Sequence, residues 1–199
     1  MTRHGTIVRA ARLGLLAAAY FLLAAGNALA SEDGSRVNLE FGPAFTAFIG
    51  GNAEETGAGF AGSFSYLKGL DDFAAVGFRV AYSQSYYTKI LDTPGQELRA
   101  RMISGGVEGE LRDEDWPGVF FVYSTWGAIS VKADTYDLVL NPVRYNQTDF
   151  YSDLGGGFRF FLIEHVTLGL DANIGATWGK TADLAEWHFR LGAMIGGRY

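Results

Sequence analysis

Few residues in this 199-residue chain could do covalent chemistry. Beyond the first thirty residues only His165 and His188 could serve as an imidazole base, and there is no cysteine to supply a thiolate, a disulfide or a lipid anchor. His188 has Glu186 two residues away, on the same face of an extended strand, and Ser83 and Ser85 supply hydroxyls elsewhere. Base, carboxylate and hydroxyl are the parts of an acyl-transfer site, but nothing in the spacing joins them. A histidine hydrogen-bonded in a polar interior is the simpler reading of His188. No His, Asp or Glu cluster has metal-ligand spacing. The "GGG" at 155–157 lies inside a strand pattern and does not open a helix, so it would not cradle a phosphate. No catalytic residue, metal site or cofactor is therefore expected.

A second set of residues is charged, and periodic in its setting. Glu40, Glu108, Glu110, Asp153 and Asp171, with Arg79, Arg159 and Arg190, each occupy the polar phase of a segment that alternates polar and apolar residues. Mixed signs on one face suit a closed interior, where an isolated charge is costly and a paired one is tolerated. Arg99 and Arg101 stand apart at the start of the fourth segment, as lone arginines able to meet anionic phosphates.

The elements that must position these residues are strands. "VTLGLDANIGATW" (166–178) has Val166, Leu168, Leu170, Ala172, Ile174, Ala176 and Trp178 in one phase and small or polar residues in the other. Segments 36–50, 58–67, 73–86, 103–111, 150–162 and 187–199 repeat the pattern. Segment 119–132 is the least clean, with Val119, Phe121, Tyr123, Ile129 and Val131 on one face and Phe120, Val122 and Trp126 on the other. The connections 68–72, 112–117 and 163–165 are short, whereas 51–57, 87–98, 133–148 and 180–186 are mostly longer. That asymmetry and the even strand number fit a bilayer-spanning barrel with both termini on the short-turn side.

The polar phase is Gly, Ser and Asn with few charges, which crowds a narrow lumen better than it solvates an exterior. The apolar phase is therefore expected to face lipid, with Tyr66, Phe73, Tyr82, Tyr86, Phe150, Phe160, Trp178 and Trp187 forming aromatic girdles near the strand ends. Phe120, Trp126, Met194 and the arginines are expected to fill much of the lumen. Residues 1–30 place Arg3, Arg9 and Arg12 before an apolar run from Leu13 to Ala25 and end in Ala28-Leu29-Ala30. This is the layout of an export signal cleaved after Ala30, with 31–199 as the barrel domain. The chain is acidic, at formal charge −6, which argues against a nucleic-acid partner.

On these residues the sequence resembles the small eight-stranded outer-membrane barrels of Gram-negative bacteria, the OmpA/OmpX-like and opacity-protein-like group. The "FRFFLIEHVTLGLDANIGATWG" hairpin (158–179), the terminal "FRLGAMIGGRY" and the export signal carry the resemblance. It implies an all-β, antiparallel, up-and-down transmembrane barrel in the cell outer membrane, in contact with outer-membrane lipid and lipopolysaccharide. It also implies that Phe189, Leu191, Ala193, Ile195 and Tyr199 form the signal read by the barrel-assembly machinery. Arg99 and Arg101 become possible lipopolysaccharide contacts. The implied function is a structural or surface-interaction role exercised through loops 87–98 and 133–148, with the loop partner unspecified. A narrow ion or solute channel is the first alternative and an outer-leaflet lipid-modifying enzyme the second, although the His-x-Ser pattern of lipid A deacylases is missing.

Overall fold

A computed structural model describes residues 34–49, 55–90, 93–112, 115–136, 142–183 and 186–199. The expected export signal and the tips of the long connections lie outside the described residues. The chain forms eight strands: β1 (Ser35–Ile49), β2 (Glu55–Gly69), β3 (Ala74–Ile90), β4 (Thr93–Arg112), β5 (Gly118–Tyr136), β6 (Pro142–Ile163), β7 (Val166–Trp178) and β8 (Trp187–Arg198). Each strand pairs antiparallel with its neighbours in sequence, and β8 closes on β1. Closure leaves no unpaired edge among the described strands, so the backbone of the wall pairs strand to strand without water. Among the described residues no helix is long and apolar enough to cross a membrane.

Both ends of the chain meet at the short-turn rim, where the Val37 amide donates to the Tyr199 carbonyl at 2.7 Å and the Tyr199 amide to the Val37 carbonyl at 2.9 Å. The turns at this rim follow from their composition. In "KGLDD", Asp71 Oδ1 accepts from the amides of Phe73 (2.8 Å) and Ala74 (2.7 Å), an Asx turn that redirects the chain into β3. At the opposite rim, β3 to β6 run 17 to 22 residues, while β7 and β8 have 13 and 12. A tilted strand needs only about 9–11 residues to cross a bilayer, so the wall is taller on one side. Much of what the sequence suggested as loop at 87–98 and 133–148 is thus strand extending beyond the apolar belt of the wall. A ladder of backbone hydrogen bonds persists there without an apolar face to mark it.

The faces divide as the alternation requires. Phe45, Val107, Leu154, Leu170 and Ile174 on the outside are each more than half exposed, while Glu40, Arg79, Glu108, Arg159 and Asp171 inside are all but sealed. Only β5 corrects the reading of the sequence. Phe120, Val122 and Trp126 face outward, so the lumen is filled instead by Val119, Phe121, Tyr123, Ile129 and Val131. Met194 does face inward, against Ala44 and Ala61.

Candidate functional site

The lumen is organised in layers. Leu67 and Val119, fully buried, floor it toward the short-turn rim. Above them lies a charged layer centred on Arg159. Its guanidinium donates to Glu40 at 2.8 and 2.9 Å, to Glu108 at 2.9 Å and to Glu110 at 2.6 Å. Arg79 bridges Glu108 (2.5 Å) to Asp171 (2.9 Å), and Arg198 reaches Glu110 at 3.2 Å. Neutral donors complete the layer: Asn38 to Glu110 at 3.0 Å and Ser65 to Glu108 at 3.1 Å.

Aromatic rings separate these cations. Phe121 lies 3.9 Å beneath the Arg159 guanidinium carbon and Tyr123 4.2 Å from that of Arg79. Stacked rings and planar cations fill volume and spread charge together. The Tyr123 hydroxyl donates to Asp171 at 2.7 Å and accepts from Arg190 at 3.3 Å and Asn173 at 3.2 Å. The eight charges picked from the sequence all lie in this lumen. Six of them share the chain of contacts around Arg79 and Arg159, and Arg190 joins that chain through Tyr123. Asp153 joins it through Asn173, at 3.3 Å.

Glycine makes this packing possible. A Cβ at Gly155 would sit 2.5 Å from the Tyr123 ring and hydroxyl, and one at Gly175 would collide with both Asp153 and His188. The "GGG" of β6 is a recess for neighbouring side chains.

His188 is buried, and its Nε2 donates to Asp153 Oδ1 at 2.5 Å. Phe48 and Tyr151 enclose the ring, with centroids at 6.3 and 5.6 Å. Its carboxylate partner is therefore Asp153 on β6, not Glu186, which is exposed. Ser85 is committed to Thr46 at 2.9 Å. Across the lumen, on β4 and β5, Met102, Ile129 and Val131 are buried and apolar. His188 is itself 1% exposed, so a substrate at the long-loop rim would have to displace buried side chains to reach the imidazole. His165 lies in the turn after β6, its Nδ1 3.1 Å from the Arg198 carbonyl and its ring stacked 5.6 Å from Tyr199. Among the described residues no group of three or more His, Asp or Glu could hold a metal ion.

On the outer wall, Phe150 and Trp178 pack together at 5.4 Å near the long-loop rim, with Trp187 on β8 next to Ala176 of β7. Phe160 packs on Phe158 at 4.2 Å toward the other rim, and Phe73 is exposed in the Asx turn. Tyr66 stacks on Phe78 at 5.8 Å. Large rings also occupy the wall between the rims, Phe41 and Phe78 among them. Phe189, Leu191 and Ile195 face outward along β8, as does Ala193 in the same phase. Tyr82 and Tyr86 face outward with Arg99 and Arg101, a grouping that the sequence alone did not reveal.

No family model matches the chain, and comparison with curated proteins finds no match. Solved structures do match. Neisserial surface protein A has a TM-score of 0.57 at 15% identity, covering 83% of this chain and 97% of that one. Ail, the attachment invasion locus protein of Yersinia pestis, has a TM-score of 0.50 at 12% identity, covering 83% and 97%. The N-terminal β-barrel domain of Pseudomonas aeruginosa OprF has a TM-score of 0.50 at 14% identity, covering 84% and 98%. At such identities the likeness is one of architecture, and the chain has the fold of the small eight-stranded outer-membrane barrels.

Proposed function

We propose that this chain is an integral outer-membrane barrel with a structural or surface-interaction role, presenting its long-loop rim to the exterior. The observation that carries the proposal is the pairing of an apolar outer wall with a lumen whose described inward side chains are buried against one another. A filled lumen leaves the protruding β3–β6 side as the part available to a partner. The channel reading is disfavoured by Met102, Ile129 and Val131 at one end and Leu67 and Val119 at the other. The enzyme reading is disfavoured by the enclosure of His188.

Two measurements test the proposal. The detergent-refolded barrel should give a β-rich far-UV spectrum and a band in SDS gels that shifts on boiling. In intact cells, protease should cut within 87–98 or 133–148 while leaving the short turns intact. A chain that folds in plain buffer without a band shift would overturn the membrane placement. Cleavage only after the envelope is permeabilised would reverse the orientation. Loss of a lipid-modifying activity in a folded His188→Ala variant would revive the enzyme reading.

A further inference from the structure

Arg99 and Arg101 lie on the lipid-facing side of β4, at the level where the tall side of the wall leaves the apolar belt. In the register, Arg99 stands beside Tyr86 on β3 and Lys132 on β5, and Arg101 stands beside Gln84 and Ser130. Arg99, Arg101 and Lys132 are all exposed. They thus form a triangle of cations on adjacent outward positions.

Two of the cations are held in place. The Arg99 guanidinium lies 5.0 Å over the Tyr86 ring. Arg101 Nε donates to Gln84 Oε1 at 3.1 Å, and that oxygen also accepts from the Tyr82 hydroxyl at 2.9 Å. The Gln84 amide nitrogen in turn donates to the Tyr86 hydroxyl. Gln84 occupies an outward position on an apolar wall, yet it is buried beneath these two tyrosines and Arg101. A buried glutamine spending its amide on arginine and tyrosine positions their groups, and with Nε so engaged the Arg101 side chain is held at the wall.

Directly below, Gly62 lacks a side chain between Phe41, Phe64, Val80, Tyr82 and Ile103, and a groove of about 310 Å³ opens along the wall. The wall has a second apolar groove by Phe120, Phe158 and Leu191, so a groove alone does not mark a site; the cations at the head of this one do. We propose that Arg99, Arg101 and Lys132 bind the phosphate of a phosphorylated membrane lipid whose acyl chain lies in the groove past Gly62. The charge complementarity is simple: three cations meet a phosphate at the depth where a headgroup sits, and apolar surface continues where its tail must go. The inference rests on the outer-membrane reading above and names one ligand of that wall.

The test uses the full chain purified from the envelope into neutral detergent, titrated with bisphosphorylated lipid A and followed by native mass spectrometry. The parent should bind, and the Arg99→Ala/Arg101→Ala/Lys132→Ala variant should bind about 100-fold more weakly, since each cation at an anionic surface contributes about 1 kcal/mol. Arg112→Ala, at the opposite rim, should bind like the parent. Inorganic phosphate in millimolar excess should not compete. Equal binding by the parent and the triple variant overturns the site, and binding or full competition by inorganic phosphate makes it a free-anion site without a lipid. Each sample is also run boiled and unboiled in SDS gels. A band shift alongside equal binding sinks this inference alone, whereas a parent without a band shift brings down the membrane reading with it.

Discussion

Arg159 shows how one side chain can hold a lumen together. It is fully buried and contacts Glu40, Glu108 and Glu110 at once. Removing it leaves three carboxylates facing one another with no central cation. Loss of one partner from a buried ionic cluster costs about 3–5 kcal/mol, most of it the penalty for the charges left behind. The expected result for Arg159→Ala is a loss of that size in the urea unfolding of the barrel in lipid vesicles. A change below about 1 kcal/mol would mean that water already solvates the cluster. Gly175 makes the opposite argument, since it is the space that matters. A methyl group there collides with Asp153 and His188, so Gly175→Ala should cost about 1–3 kcal/mol as overpacking does. The same unfolding assay checks it, and an unchanged midpoint would show the pair to be loosely held. At this scale the sequence showed which residues are polar and which phase they occupy, but not who meets whom. Asp153 and His188 are 35 positions apart, and only the registers of β6 and β8 on β7, which set both beside Gly175, made Asp153, and not nearby Glu186, the partner.

Among the elements, seven strands declared their faces and β5 did not. The reason is that β5 is apolar on both sides: its outward Phe120, Val122 and Trp126 meet lipid, while its inward Phe121 and Tyr123 support arginines. Alternation of polarity vanishes where a lumen is packed with rings. Val122, between Phe120 and Trp126 on the outside and 62% exposed, tests the assignment. Val122→Arg should destabilise the barrel in vesicles by roughly 2–4 kcal/mol, the cost of a cation in the hydrocarbon. Were that face inward, the new cation would enter a lumen rich in carboxylates at little cost, so a neutral result would sink the assignment.

A second element, the short 3-10 turn at Lys180–Asp183, is tied to β6 at the long-loop rim. Asp149, just above the Phe150–Trp178 pair, accepts from the Thr181 amide at 2.6 Å and from its hydroxyl at 2.5 Å. Slight burial pushes the carboxyl up, but these hydrogen bonds outweigh it and hold it below the usual carboxylate range. A depressed folded value stabilises the turn above the unfolded carboxylate range, and that stability fades as pH falls through the folded value. Hydrogen exchange at the Thr181 amide should accordingly lose protection on acidification beyond the intrinsic pH effect, and Asp149→Asn should remove that dependence. Parallel pH profiles in parent and variant would show that the carboxylate does not hold the turn.

For the molecule as a whole, the question is whether the lumen behaves as a core or as a wet passage. Eight strands leave an interior just wide enough to be filled by side chains, and here the filling has an apolar floor, a paired ionic middle and, toward the long-loop rim, buried Met102, Ile129 and Val131 facing the His188–Asp153 pair. Strand number and face polarity, both readable from alternation, made a filled lumen the expectation; the layering depends on registers that the sequence does not state. A core and a passage respond differently to salt. At 1 M salt the Debye length falls to about 3 Å, so ions admitted to a wet lumen would weaken the Arg79–Glu108 and Arg159–Glu40 pairs. Ions excluded by a filled lumen cannot. Raising salt from about 0.01 to 1 M should therefore leave the unfolding midpoint of the vesicle-embedded barrel unchanged, and the same barrel in a planar bilayer should pass no discrete current steps. A midpoint that falls with salt, together with steady single-channel current, would falsify the filled-core view and restore the narrow channel as this protein's function.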